Sequence, residues 1–162
     1  MVDFFDHITK DKGQIRKAAS SDLAAINAIM RASKGYWGYD EAFMDCFMVM
    51  FGCTASYLAK NAVYVLLNQH EMIGFFSLAL QEDRTLELDL FFIAPKFIGK
   101  GYGTQLWKTC VSIARHLGAK EFTLWADPNT EEFYTKMGCE KIGVKASPFL
   151  PNRFPPVMRY KL

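Results

Sequence analysis

The sequence predicts a three-layer α+β domain, and three observations carry that expectation. Half of its 162 residues are hydrophobic and 15% are aromatic, enough to fill a packed core. Segments of strand and helix period alternate along the chain. The early strands meander, those from residue 62 to 95 following one another without intervening helices. No linker, low-complexity segment or internal repeat interrupts the pattern, so residues 1–162 are read as one domain.

The elements follow in order. "GQIRKA" (13–18) is a short first strand. Ser20 or Ser21 then caps a helix whose apolar positions Leu23, Ile26, Ile29 and Met30 keep the helical period. "SKGYWGY" (33–39) breaks it with two glycines and an aromatic cluster. "DEAFMDCFMVMF" (40–51) resumes helix, and "TASYLAKN" (54–61) is compatible with its continuation. "AVYVLLN" (62–68), the polar turn "QHE" and "MIGFFSLALQ" (72–81) form a hairpin. "TLELDLFFIAP" (85–95) is a strand that Pro95 ends. Leu106, Cys110, Ile113 and Leu117 mark one face of a helix that Gly118 stops. "EFTLWA" (121–126) is a strand, "DPNTEEFYTKMG" (127–138) a short helix, and "CEKIGVKA" and "PPVMRYKL" the last two strands.

Composition excludes several function classes. A net charge of +2 is too small to argue for nucleic acid. No apolar run reaches the ~18 residues of a membrane span, and the acidic "MVDFFDH" is not a signal peptide. Cys46, Cys53, Cys110 and Cys139 show no CxxC spacing and no nearby histidine. They are expected to be reduced and mostly buried, in a cytoplasmic protein without bound metal. His7, His70 and His116 fall in unrelated settings and are expected at the surface.

The stretch "FIGKGYGTQLW" (97–107) carries chemistry, because it puts three glycines just ahead of a helix. Neither familiar phosphate motif fits. The P-loop needs GxxxxGK followed by Ser or Thr, and GxGxxG fails because the third glycine comes one residue early. The shared physics survives, since helix-start amides and the positive end of the helix dipole face any anion placed there. Glycine adopting positive φ in an ordinary strand–helix turn is the other reading.

"LFFIAPKFIGKGYGTQLW" resembles the first signature of the GNAT acetyltransferases, the Gcn5-related N-acetyltransferase superfamily. That signature is a strand ending hydrophobic-x-Pro, then Arg/Gln-x-x-Gly-x-Gly/Ala opening a helix. "ADPNTEEFYTKMGC" resembles the second, and "IRKAASSDLAAINAIM" the usual first strand and helix. "SKGYWGY" and "NRFPPVMRYKL" are similar to a little-characterised bacterial subgroup. Ile98 departs from the usual Arg or Gln, and Lys100 is a candidate substitute.

The resemblance implies a mixed, mostly antiparallel sheet splayed into a V-shaped cleft, an acetyl-CoA co-substrate and no metal. The cofactor contacts it implies are Phe92, Ile93, Ile98, Gly99, Lys100, Gly101, Tyr102, Gly103, Thr104, Asp127 and Asn129. Asp127 before Pro128 is also a good helix N-cap. Strand alternation holds through Leu86-Glu87-Leu88-Asp89-Leu90, then collapses into Phe91-Phe92-Ile93. A bulge explains this, and so does burial of both faces.

Acetylating an amine of pKa about 10.4 at pH 7 finds free base in only about one molecule in 10³, a handicap of roughly 4–5 kcal/mol. A general base within reach offsets it. Glu87 matches the catalytic glutamate of the family's histone-modifying branch, and Asp89 shares its strand face. Tyr134 matches the tyrosine that protonates the departing thiolate; half-buried packing is the alternative for such a ring. Trp37, Tyr39, Phe47 and Arg153 fall where the family binds its acceptor. The expected activity is direct acetyl transfer to a small-molecule or peptide amine, with a catalytically silent acyl-CoA sensor as the alternative. The resemblance leaves room for a homodimer.

Overall fold

The computed structural model describes residues 13–148 and 150–162, so "MVDFFDH" and His7 lie outside the described residues. Strands β1 (Gln14–Lys17), β2 (Ala62–Asn68), β3 (Glu71–Leu80), β4 (Leu86–Ile93), β5 (Glu121–Trp125), β6 (Glu140–Val144) and β7 (Pro156–Lys161) make one sheet. Their order is β1-β2-β3-β4-β5-β7-β6. Every neighbouring pair is antiparallel except β4 with β5.

Helices cover both faces, giving the expected three layers. On one side, α1 (Leu23–Gly35), α2 (Glu41–Phe51) and α3 (Ala55–Lys60) pack through Ile26, Met30, Phe47 and Tyr57 on Val63, Val65, Phe75 and Leu90. On the other, α4 (Tyr102–His116) and α5 (Glu131–Lys136) lay Leu106, Trp107, Cys110 and Tyr134 on Phe76, Leu88, Phe122 and Met158. Each fully buried Phe, Leu or Met of these layers contributes about 1.5–3 kcal/mol.

Local chemistry sets the boundaries. Asp40 and Thr54 cap α2 and α3 by accepting the amides of Phe43 and Tyr57, so residues 54–61 restart a helix instead of continuing one. The expected serine cap before α1 is not used. The chain first makes a 3₁₀ turn over Ser20–Asp22, and the buried Asp22 carboxylate takes the Ala19 amide at 2.7 Å while Arg16 holds it in place. Gly118, at φ 80°, ends α4 as expected, and Ala119 donates back to Ala114 O at 3.2 Å. Leu117 lies past that end and is exposed, not part of the buried stripe. Ala94 donates to Ile73 O, after which Pro95 closes β4 into a short 3₁₀ turn. Cys53, Cys110 and Cys139 are buried free thiols, Cys46 an exposed one, and His70 and His116 are exposed.

The bulge in β4 lies earlier than the sequence suggests. Leu88 pairs with Leu78 and Leu90 with Ser77, which leaves Asp89 as the extra residue. The parity of the strand changes there. Leu86 and Leu88 pack under α4, whereas Leu90 packs under α1 and α2, so these three leucines do not share a face as expected. The run Phe91-Phe92-Ile93 needs no bulge of its own. Phe91 and Ile93 pack on the α4 side and Phe92 on the α1 side, because both faces are covered.

Candidate active site

The single parallel pairing opens a cleft. β4 and β5 are joined in register at Glu87 and Thr123, and beyond that rung they part. Residues 88–92 then face Leu124–Asp127 across a cavity of about 180 Å³. Glu87, Asp89, Phe92, Tyr134, Trp37, Phe47, Asp127 and Arg153 all border it, so the cavity gathers both expected catalytic residues.

The Glu87 side chain forms no hydrogen bond or ion pair among the described residues. Burial pushes its carboxyl above the ordinary value and the charge of Asp89 adds to this, with Lys145 pulling the other way. Asp89 is instead held: the Tyr57 hydroxyl makes a short hydrogen bond to its Oδ2 and lies 2.7 Å from Ser77 Oγ. Burial and Asp89 push the Tyr57 phenol well up. Asp89 keeps the face that alternation gives it, opposite Leu88, and the bulge brings Leu90 to that same side.

Tyr134 is the fourth residue of α5, wedged among Phe133, Trp107 and Phe91 with ring centroids 5.2, 5.8 and 6.2 Å away. Its hydroxyl has no hydrogen-bond partner among the described residues. Burial drives the phenol pKa well up, so it keeps its proton across the neutral range. Packing and an available hydroxyl coexist in this residue.

At the cleft's mouth Asp127 gathers three side chains from distant segments. Lys34 Nζ lies 2.5 Å from Asp127 Oδ2, the Tyr39 hydroxyl donates to the same oxygen at 2.7 Å, and Arg153 Nη2 reaches both Tyr39 and, at 3.4 Å, Asp127. The other Asp127 oxygen accepts the amide of Asn129 at 2.9 Å and its side-chain nitrogen at 2.7 Å, which is the expected N-cap. Burial raises the Asp127 carboxyl, but Lys34, Tyr39 and the Asn129 amide outweigh it and hold the group below its usual range. Burial lowers the Lys34 ammonium against the pull of Asp127, and it pushes the Tyr39 phenol up to about 12.

The glycine turn stands at the start of α4, outside this cavity. Gly99 and Gly101 adopt φ of 77° and 87°, which explains glycine at both positions by backbone conformation. Gly103 has another reason. A Cβ there would meet the Phe133 ring at 3.2 Å, so its small size lets α5 pack against α4. Space beside Gly99 is open, Lys100 is exposed, and Ile98 is half-buried. The first amides of α4, at Tyr102, Gly103 and Thr104, have no intrahelical acceptor. Ile93 points away from the cavity into the α4-side core.

Comparison with known proteins identifies this arrangement. The family model described as "Acetyltransferase (GNAT) family" matches residues 26–139. The chain belongs to the GNAT family. Its fold is similar to that of a GCN5-related N-acetyltransferase from Rhodopseudomonas palustris (TM-score 0.75, 20% identity, 96% of this chain and 99% of that one). It is also similar to the PaiA N-acetyltransferase of Thermoplasma acidophilum in complex with coenzyme A (0.73, 19%, 92% and 98%). A third likeness is a GNAT acetyltransferase of Elizabethkingia anophelis with acetyl-CoA bound (0.66, 18%, 94% and 100%). No curated protein matches the sequence. Membership assigns acyl transfer from acetyl-CoA in general terms, and the open start of α4 and the splayed β4 edge suit that co-substrate. Among the described residues no cluster of His, Cys, Asp and Glu is placed to hold a metal ion, and no helix is long and apolar enough to cross a membrane.

Two residues escaped sequence reasoning, one that lines this GNAT cleft and one that holds a carboxylate lining it. Lys34 looks like a solvated helix-end lysine, and its partner lies 93 positions away. Tyr57 sits in a segment read as a helix continuation, with Asp89 as its partner 32 positions on. Neither spacing leaves a local signal.

Proposed function

We propose that this GNAT protein is an N-acetyltransferase that moves the acetyl group of acetyl-CoA directly to a primary amine in a ternary complex. The observation that carries the reading is that Glu87 and Tyr134, two titratable side chains without hydrogen-bond partners among the described residues, border one cleft. The amine attacks the thioester carbonyl, forming the C–N bond, and its proton passes to Glu87, directly or through water. Collapse of the adduct breaks the C–S bond, and the Tyr134 hydroxyl gives its proton to the departing sulfur. Glu87 then returns its proton to solvent and Tyr134 is reprotonated.

The remaining roles belong to the same proposal. Pantetheine lies along the unpaired β4 edge near Phe92 and Ile93, whose backbone amide supplies a donor to the thioester oxygen. The pyrophosphate rests on the amides of residues 98–104, with Lys100 beside it. Trp37 and Asp89 wall the acceptor's end. Asp127 serves through its ion pairs and its cap rather than through CoA, because both its oxygens are already engaged. Three buried free thiols support a reducing, cytoplasmic setting.

Thiol release with a panel of amines, corrected for the protein's own four cysteines, tests the activity. Tyr134→Phe preserves the ring and should lower kcat by about 10–10³-fold with acetyl-CoA affinity and Tm nearly unchanged. Full turnover in this variant removes the general-acid role. CoA binding without turnover of any amine would leave a CoA-binding module.

A further inference from the structure

The acceptor end of the cleft is electrically polarised. On one wall Glu87 and Asp89 border the cavity, and neither has a cation within ion-pair distance among the described residues. On the other wall Lys34 and Arg153 share the single carboxylate of Asp127. One positive charge is therefore left over beside the cavity. These groups are largely withdrawn from water, with side-chain exposures of 13% for Lys34, 8% for Asp127 and 21% for Arg153. Solvent screens such an excess poorly.

Arg153 is also preorganised. Its guanidinium lies 4.6 Å from the centroid of the Tyr39 ring and 5.9 Å from that of Phe43. Both of its bonds, to Tyr39 and Asp127, use Nη2. Among the described residues Nη1 and Nε make no hydrogen bond, and their hydrogens, on the two edges that flank Nη2, remain for the oxygens of a ligand carboxylate.

We infer that the acceptor is a small amine that carries a carboxylate, such as a free amino acid, with its carboxylate on Arg153 and its amine on the Glu87 side. A cleft with opposite charges on its two walls selects a molecule with the opposite dipole and rejects plain amines and polyamines, whose second cation would face Arg153. A cavity of about 180 Å³ suits a small molecule better than a folded protein surface. This inference rests on the acetyltransferase reading above.

The test compares amino acids with their own carboxamides, L-methionine with L-methioninamide and L-phenylalanine with L-phenylalaninamide, in a thiol-release assay on the full chain. The carboxamides have the more weakly basic amine and so more free base at neutral pH, which biases the comparison against the inference. A kcat/KM at least tenfold higher for the acids supports it. Arg153→Gln should then lower kcat/KM for the acids at least tenfold more than for the carboxamides, and Arg153→Lys should recover part of that ratio. Equal rates for acid and carboxamide in the wild type overturn the inference while leaving the acetyltransferase standing. Failure to acetylate any amine overturns both. The wild-type ratio decides the matter even if Arg153→Gln does not fold.

Discussion

Replacing Tyr57 with phenylalanine removes one oxygen atom from the joint that fixes the β4 bulge. That hydroxyl serves two groups at once, the Asp89 carboxylate and the Ser77 hydroxyl. A hydrogen bond to a charged group is worth about 1.5–3 kcal/mol, and a buried hydroxyl stripped of its partner costs about 1–3 kcal/mol more. Asp89 borders the cavity, so water can replace the lost donor there and the lower part of the first range applies. Ser77 is fully buried and has no such relief. The expected loss is about 2–4 kcal/mol, and at roughly 2–4 °C per kcal/mol for a chain of this size Tm should fall by ~4–16 °C. Chemical denaturation and calorimetry both read it. Tyr57→Phe combined with Ser77→Ala should regain part of the loss, because removing both polar partners leaves nothing unsatisfied. A loss below ~0.5 kcal/mol, or additive effects of Tyr57→Phe and Asp89→Asn in a double-mutant cycle, would refute the reasoning.

Other outcomes follow from the charged groups and the turn. Glu87→Gln should reduce kcat/KM by about 10²–10⁴-fold with CoA affinity intact, and the deficit should narrow as pH approaches the amine's own pKa. Since the folded Glu87 carboxyl is raised, the stability it contributes is present below the unfolded value of about 4.3 and is lost as pH rises through the folded one. Glu87→Gln should therefore melt at or above wild type at pH 7, with the gap closing below about pH 4. Asp127 behaves oppositely: its depressed carboxyl stabilises above the unfolded value of about 3.9 and that contribution disappears as pH falls through the folded value. Asp127→Asn should cost about 3–5 kcal/mol at pH 7, because Lys34 is left buried without its partner. Gly101→Val should weaken acetyl-CoA binding at least tenfold, about 1.4 kcal/mol; unchanged affinity by calorimetry in a folded variant would remove the phosphate role of the turn.

What the sequence revealed tracks how local each signal is. The strand–glycine–helix passage and the Tyr134 segment lie within short windows, so their pattern is legible without a fold. Gly103 shows the limit of that reading. The sequence places it in a candidate anion-binding turn, and only the fold shows that its small size also accommodates the ring of Phe133 from another helix. The serine cap is absent because Ser20 and Ser21 lie inside a 3₁₀ turn, which the Asp22 carboxylate, held by Arg16, closes back on the Ala19 amide. The position of the bulge could not be read from β4 alone, since a bulge is a relation between two strands and Ser77 defines half of it. Lys34 and Tyr57 were hidden for the same reason. Their partners are close only after the sheet has formed.

The parallel rung between Glu87 and Thr123 has a consequence for folding order. Strands β1 to β4 form one antiparallel set, and β5, β7 and β6, with β7 between the other two, form a second. Pairing within each set can begin early, while joining them requires the chain of α4 to close a loop between residues 87 and 123. The candidate cleft is thus the seam between two separately paired sets of strands. The carboxylate proposed to take the amine's proton sits on the one rung that joins them, so the candidate site is complete only when the two sets have met.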